Sequence, residues 1–418
     1  MKVLLIDNFL YRRGGAEVVF LNTGELLKSK GHEVIYFSQQ WSENLPSEFE
    51  HFYPMGIDAK TSGILKRIQG VGKYFYNRKA ATKLEKLIIE TKPDIAHAHL
   101  FWGGISGSIF RVLKKYNIPI VHTAHDYRMV CPAYAFKNSR NEICEQCVGH
   151  KFYHCIKNRC SKGSLLMSIL MCLEMYFRNY FLNPIDNIAG FMFVSDFSYN
   201  KHIQYEPRFA GKHCVTMYNF QDADVLNSVE KGLATHDSYY LYYGRLSDEK
   251  GVPLLIESFA DMSGLNLKIV GTGPIENELK SLCAEKKADN IEFLGYKTGT
   301  ELFDIIRKAK FVCVPSECYE NNPMTIIESY TLRTPVIGSD LGGIVEIIVD
   351  GVTGYKFMPS DIASLKNAIG KAEKMTDNEY RMMKDRAEQF AEQHFDKERY
   401  YQKLINLYQY TIANYNIK

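Results

Sequence analysis

Short apolar runs and amphipathic helical stretches alternate along this chain, and they do so twice over. In the first half VLLID (3–7) precedes a helical pattern from about Ala16 to Lys30 and the run EVIYFSQ (33–39). DIAHAH (94–99), a helical stretch from about Ser106 to Tyr116 and IPIVHTAH (118–125) repeat the unit. The second half has YYLYYGR (239–245), a helix over 253–262, LNLKIVG (265–271), a helix over 275–286, IEFLG (291–295) and FVCVPS (311–316), then PVIGS (335–339) and a hairpin-like piece at GVTGYKF (351–357). Runs separated by helices pair side by side in a parallel sheet, so the fold class is α/β, with two doubly wound sheets in series. A length of 418 residues agrees, being too long for one ordinary core. The polar stretch 222–237 reads as the linker, and a polar helical tail from about Asn378 is long enough to cross back over the first domain.

Charge excludes one class of partner. With 51 basic and 48 acidic residues the net charge is +3, which gives no reason to expect nucleic acid. The N-terminus has five apolar residues after one lysine and no small-residue cleavage site, so it does not read as a signal peptide. The apolar run 165–173 is stopped by Glu174, short of the roughly 18 to 20 residues a bilayer span needs. These features predict a cytoplasmic protein.

Residues 319–329 read YENNPMTIIES. Glu320 falls in the loop at the carboxyl end of a parallel strand, where open α/β sheets bind ligands. Pro323 suits the first position of the following helix, and the amides of Met324 and Thr325 then form an anion site. Glu328 sits one turn in. Phosphate at the helix start with carboxylates on vicinal hydroxyls suits a sugar nucleotide, although Glu320 as a cap and Glu328 as a first-turn acid are the plain structural alternatives. Arg245 and Lys250 of YYGRLSDEKG occupy the turn after another strand, placed to neutralise a diphosphate or else to remain solvated loop charges.

Together with GGAE (14–17), HTAHD (122–126), VSDF (194–197), VGTGP (270–274), FLG (293–295) and the GG and EI near 342–347, these pieces make the chain resemble the retaining glycosyltransferases of family 4. The resemblance implies the GT-B architecture, two Rossmann-like doubly wound domains facing a central cleft. It divides the chain into an acceptor domain, 1–221, with a Cys-rich insertion at 131–160 and closed by a C-terminal helix, 395–418, and a nucleotide-sugar domain, 222–394. It implies that Arg245 and Lys250 hold the diphosphate, that Glu320 contacts the transferred sugar and Glu328 the ribose, and that His125 stands beside the sugar and the acceptor hydroxyl. Gly14 and Gly15 would let a loop approach the ligand, and Gly244, Gly271 and Gly273 would border the donor. The family's commoner Glu-Gly-Phe-Gly is replaced here by Glu-Asn-Asn-Pro, which puts Asn321 and Asn322 beside the sugar. The implied activity is metal-independent, retaining transfer from a UDP- or GDP-sugar to a glycan acceptor, often lipid-linked, in cell-surface polysaccharide or glycoconjugate assembly. Sugar-nucleotide binding without turnover, or epimerisation, is the alternative.

Other motifs compete. Asp222-Ala223-Asp224 resembles a metal site of another glycosyltransferase fold but falls in the linker, and VGTGP lacks the third glycine of a dinucleotide fingerprint, since Glu276 stands there. His97 and His99 share a strand face without an evident third ligand. Cys144, Cys147, Cys155 and Cys160 have the spacing of a structural zinc site, with Cys131 able to replace one; reduced thiols are the alternative. Between Lys60 and Lys86 eight Lys or Arg face one acid, Glu85, with Ile64, Leu65, Ile68, Val71 and Phe75 on one face. This predicts a basic amphipathic helix on an anionic membrane, at the inner face of the cell membrane, with the apolar segment 164–182 docking beside it or serving as core.

Overall fold

The computed structural model describes residues 1–56, 64–161, 163–221 and 239–415, with the backbone alone at 64–69. The chain divides into two compact units, Met1–Met217 with Glu398–Lys418, and Tyr218–Lys397. The expected linker, with Asp222 and Asp224, lies outside the described residues, as do 60–63 of the basic segment.

The first unit is built on a six-stranded sheet of β1 (Lys2–Ile6), β2 (Glu33–Phe37), β3 (Ile95–Ala98), β4 (Ile120–Ala124), β5 (Gly190–Phe193) and β6 (His213–Thr216). Their order is β2-β1-β3-β4-β5-β6, and every pair is parallel. Val3 to Ile6 have no exposed surface because helices cover both faces, which is why the run is continuously apolar. The last two strands were not legible. GFMF is four buried residues without alternation, and HCVT is a half-buried edge strand.

The second unit repeats the plan with β7 (Tyr239–Tyr243), β8 (Asn266–Val270), β9 (Ile291–Gly295), β10 (Phe311–Val314), β11 (Val336–Ser339) and β12 (Gly354–Phe357), in the order β12-β11-β10-β7-β8-β9. The hairpin-like piece at 351–357 is corrected: β12 pairs parallel to β11, Val336 opposite Gly354, with the short helix Ile344–Ile347 in the crossover.

The tail forms two helices, Asp377–His394 and Lys397–Tyr415. The first opens on a capping box, Thr376 with Glu379. The second packs on the first unit: the Tyr408 hydroxyl meets His97 Nδ1 at 2.6 Å and the Tyr400 hydroxyl meets Thr23 at 3.0 Å.

Candidate active site

The carboxyl ends of β7, β8 and β10 gather the residues singled out in the second half. Backbone bonds lock the loops together: the Gly244 N–H donates to the Val270 carbonyl (3.0 Å), Leu246 to Thr272 (3.0 Å) and Gly271 to Gly295 (2.8 Å). Gly271 stands at φ +131°, and a Cβ there would lie 1.9 Å from the Gly244 carbonyl oxygen. A Cβ on Gly273 would meet the Leu246 carbonyl in the same way. These glycines let one strand-end loop seat on its neighbour.

Lys250 closes the 3-10 turn Asp248–Lys250, and Glu320 follows β10. Their side chains meet directly, Nζ to Oε1 at 2.5 Å, and the Ser316 hydroxyl donates to the same oxygen at 2.7 Å. Burial raises the Glu320 carboxyl, but the Lys250 ammonium and the Ser316 hydroxyl outweigh it and hold the group below its ordinary range. Burial likewise opposes the charge on Lys250, yet Glu320 keeps that ammonium above its ordinary range. Arg245 is exposed and has no carboxylate partner among the described residues. The resemblance gave Glu320 to the sugar and Lys250 to the phosphate; here they neutralise each other, leaving Arg245 as the open cation.

Pro323 caps the helix Met324–Thr331 from outside instead of occupying its first position. Its carbonyl accepts from the Ile326 amide at 3.0 Å, while the Met324 and Thr325 amides have no backbone acceptor among the described residues. Half-buried Glu328 interacts with Tyr243, whose hydroxyl also donates to the Thr325 carbonyl at 2.7 Å. One expectation needs correcting. The Asn322 side-chain oxygen accepts the Asn219 amide (2.7 Å) and its carbonyl accepts from Asn219 Nδ2 (3.1 Å), so that oxygen fastens the chain and is not offered to a sugar. Asn321 is buried beside it, 8% exposed. Gly342 and Gly343 clamp this turn from the other side. The Gly343 amide donates to the Glu320 carbonyl at 2.6 Å, and a Cβ on Gly343 would fall 1.8 Å from the Asn321 carbonyl oxygen.

Residues 226–390 match the family of "Glycosyl transferases group 1", and residues 13–143 match "Glycosyltransferase Family 4". The chain is a group 1 glycosyltransferase of the family 4 type. It transfers sugar from a nucleotide-sugar donor. It is 24% identical over 362 residues to an uncharacterised 42.6 kDa protein in the cps region of Klebsiella pneumoniae, covering 83% of this chain and 87% of that one. In fold it is similar to sucrose-phosphate synthase from Thermosynechococcus elongatus (TM-score 0.71, 17% identity, 99% of both chains). It is also similar to Anabaena HepE in complex with UDP and glucose (TM-score 0.61, 17% identity, 97% of this chain and 98% of that one). Both likenesses establish the GT-B fold.

In the first unit of the glycosyltransferase, His125 follows β4 and its Nε2 lies 2.8 Å from His99 Nδ1. Burial, and then the nearby His122, lower the His125 pKa to about 3, so the imidazole is neutral near pH 7. It can accept or donate a hydrogen bond but holds no proton charge to give. His97 is consumed by core bonds to Tyr408 and to Thr123 Oγ1, both at 2.6 Å. Gly14 is extended at φ −164° and Gly15 begins the helix Gly15–Ser29, so neither needs glycine for its backbone angle. A Cβ on Gly14 would lie 3.3 Å from Oε2 of buried Glu17, a close contact to which that side chain would have to yield.

The cysteine-rich segment brings its thiols together. Cys160 hydrogen-bonds with Cys155 and Cys144, and the Cys155 bond is the main cause that lowers the Cys160 pKa. Cys131, Cys147 and Cys155 are buried. Among the described residues no group of three or more His, Cys, Asp or Glu stands ready to hold a metal ion.

Two features of the glycosyltransferase escaped the sequence reading. Along the helix Leu165–Phe177 and the π-turn Arg178–Leu182 the usual polarity is inverted. Glu174 and Arg178 pair inside, each about 3% exposed, and the Arg178 guanidinium lies 4.1 Å from the centre of the Trp102 ring. Leu166, Tyr180 and Phe181 are more than 70% exposed, and Leu173 53%. The helical stretch Leu165–Leu182, with Glu174 and Arg178 inside it, is by length and composition alone long and apolar enough to cross a membrane. The basic helix Ile64–Phe75 packs against it, with Phe75 edge-on to Phe177 at 5.5 Å. The second feature is a cavity of about 370 Å³ at the carboxyl ends of β1 to β4, bordered by Arg13, Lys73, Arg128, Trp41 and Trp102. Its residues follow strand ends, apart from Lys73 of the helix Ile64–Phe75, and form no contiguous motif, so only the folded unit reveals them.

Proposed function

We propose that this glycosyltransferase retains anomeric configuration, needs no metal for catalysis, and transfers sugar from a UDP- or GDP-sugar to a lipid-linked glycan at the cytoplasmic face of a membrane, in cell-surface polysaccharide or glycoconjugate assembly. The observation that carries the catalytic part is the cluster of Arg245, the Lys250–Glu320 pair and the open Met324 and Thr325 amides on adjoining strand ends. Arg245 and the unpaired amides, fixed before the donor arrives, can stabilise charge on a departing diphosphate without reorganisation, with the Lys250–Glu320 pair holding their loops together. In the proposed step the acceptor oxygen bonds to the anomeric carbon as the carbon–oxygen bond to the diphosphate breaks. The acceptor proton passes to the leaving phosphate oxygen, and nucleoside diphosphate departs. Glu320 and Glu328 accept hydrogen bonds from sugar and ribose hydroxyls, and neutral His125 accepts or donates one near the acceptor. UDP in the HepE complex supports a nucleotide-sugar donor. The exposed apolar helix beside a basic one supports the lipid-linked acceptor and membrane attachment, since apolar side chains enter the headgroup boundary while cations meet anionic lipid.

Incubation with UDP-, GDP- and ADP-sugars tests the reading. The expected results are thermal stabilisation and slow donor hydrolysis by one of them, and loss of transfer in folded Glu320→Ala and Lys250→Ala proteins. Stabilisation by a donor without transfer or hydrolysis would mark a binding protein. Interconversion of the donor sugar without acceptor would mark an epimerase.

A further inference from the structure

Two neighbouring strands of the first unit are each followed by a histidine, and one of the two has no exposed surface. His99 follows β3 and is 0% exposed, while half-buried His125 follows β4. Three bonds fix the backbone around His99 to the end of β1. Its own amide donates to the Ile6 carbonyl at 2.8 Å, the Leu100 amide to Asp7 Oδ2 at 3.0 Å, and the Asn8 amide to the Leu100 carbonyl at 2.8 Å. The ring is held as well. Phe20 meets it edge-on at 5.2 Å and the His97 ring lies 4.3 Å away between centroids, so it cannot turn without displacing packed rings.

The polar atoms of this ring are used unevenly. Nδ1 lies 2.8 Å from His125 Nε2, whereas Nε2 is buried with no partner among the described residues. A phenyl ring would fill the same walled site without stranding a buried nitrogen, so the imidazole is explained by the one bond it makes. That bond decides where the protons sit. Burial, and then His97 and His125, hold the His99 pKa well below its ordinary range, and His125 is also neutral. Each ring therefore carries one proton, and one proton lies between them. If it belonged to His125 Nε2, His99 would accept at Nδ1 and carry its own proton on Nε2, an N–H buried without an acceptor. If it belongs to His99 Nδ1, the unpartnered Nε2 is a bare lone pair. Buried N–H groups without an acceptor are the rarer of the two in folded proteins.

Resting on the glycosyltransferase reading above, we infer that His99 is a positioning residue for His125: it donates from Nδ1 to His125 Nε2, holds that ring, and fixes it as the tautomer with its proton on Nδ1. The Nε2 lone pair of His125 is then occupied and its other nitrogen is an N–H. Such a ring donates a hydrogen bond and has no lone pair with which to take the proton of an attacking hydroxyl. His125 therefore orients an oxygen by donation, and the departing phosphate oxygen is left as the destination of the acceptor proton in the step proposed above.

The tautomers can be read without any ligand. In two-bond proton–nitrogen correlation spectra of isotope-labelled protein near pH 7, a bare ring nitrogen resonates far from an N–H, and the signals lost in His99→Asn and His125→Gln identify the two rings. A proton on Nδ1 of both rings is expected, and a proton on His99 Nε2 overturns the inference. Turnover tests the link to the reaction, with hydrolysis of the UDP-, GDP- or ADP-sugar that the native protein accepts as the assay. His99→Phe should lower kcat about tenfold with KM within about twofold, because a released His125 ring is misplaced and not removed. His99→Asn, whose amide can set an N–H where Nδ1 stood, should recover most of that loss. In a His125→Gln background His99→Phe should have no further effect on kcat, since it acts through His125. An equal fall in both backgrounds marks a merely structural ring and overturns the positioning role. If His99→Phe does not fold, the native spectrum and His99→Asn carry the test. Absence of turnover of every nucleotide sugar counts against the glycosyltransferase reading instead, and the spectrum then decides the tautomers alone.

Discussion

Lys250→Met probes the Lys250–Glu320 pair that joins the turn after β7 to the loop after β10. At 2.5 Å, with side chains 31% and 14% exposed, the pair is only partly screened. An effective dielectric of about 20 puts the gross attraction near ~7 kcal/mol. Desolvation of the two ions consumes most of it, leaving a net coupling of about 2 kcal/mol. The single substitution costs more, about 3 kcal/mol, because it strands the Glu320 carboxylate with only Ser316 as donor. The pH dependence then changes sign. In the native protein the depressed Glu320 pKa gives stability that is present above 4.5 and lost as pH falls through the folded value. Lys250, its pKa raised, contributes below 10.5 and loses that contribution as pH rises through its folded value. Without Lys250, burial dominates and moves the Glu320 carboxyl above its ordinary range, so acidification relieves a buried charge. Thermal unfolding of Lys250→Met, Glu320→Gln and the double variant, from about pH 5 to about pH 8, measures all of this. At about 2–4 °C per kcal/mol, the single variant should melt about 6–12 °C lower near pH 7. That deficit should shrink toward pH 5. Single-variant costs that add within about 0.5 kcal/mol, or a Lys250→Met deficit that does not shrink on acidification, would refute the reasoning.

Glu328→Ala should weaken the donor about tenfold by calorimetry with little change in melting, since it removes one hydrogen-bond acceptor from a half-buried position; unchanged affinity removes Glu328 from the site. The depressed pKa values of His97, His99, His122 and His125 give stability that is complete above about 6.5 and declines as pH falls, by up to about 1.4 kcal/mol per pH unit for each. Protection factors in β3 and β4, in which the pH dependence of intrinsic amide exchange is divided out, should therefore fall on acidification, and pH-independent protection factors contradict the assignment. Leu166→Glu with Phe181→Glu should abolish co-sedimentation with vesicles of about 30% anionic lipid while UDP stabilisation persists; retained co-sedimentation places attachment elsewhere. We also propose that Cys144, Cys147, Cys155 and Cys160 close around one zinc ion, for which the contacts of Cys160 with Cys144 and Cys155 are the support. Elemental analysis should find about one zinc per chain, reduced in Cys144→Ser, and metal-free protein with titratable thiols settles the matter for reduced cysteines.

The alternation of apolar runs and helices made most of both sheets legible, because a strand covered on two faces must be apolar throughout, as Val3 to Ile6 are. β5 and β6 escaped for want of that pattern, and β12 was misread because the turn at Gly351 resembles a hairpin until the parallel register with β11 is seen. The placement of Arg245, Lys250 and Glu320 in loops after strands, and of Glu328 in the helix that follows, was legible from the sequence. What sequence could not convey was that Lys250 and Glu320 pair with each other, or that the Asn322 oxygen is spent on Asn219 from 103 residues away. The cavity was invisible for a related reason. Arg13, Lys73 and Arg128 are far apart along the chain and meet only where the ends of β1 and β4 lie beside the helix Ile64–Phe75.

The helix Lys397–Tyr415 returns to the first unit and delivers Tyr408 to His97, 311 residues earlier in the chain. A ribosome making this protein completes the second unit before it releases the last element of the first. Until then His97 lacks its Tyr408 partner and the apolar residues under the helix remain uncovered. The N-terminal half, first to be made, is thus last to be finished. Truncations at the C-terminus would register as defects of the N-terminal unit, and holding chaperones would find their longest-lived target there.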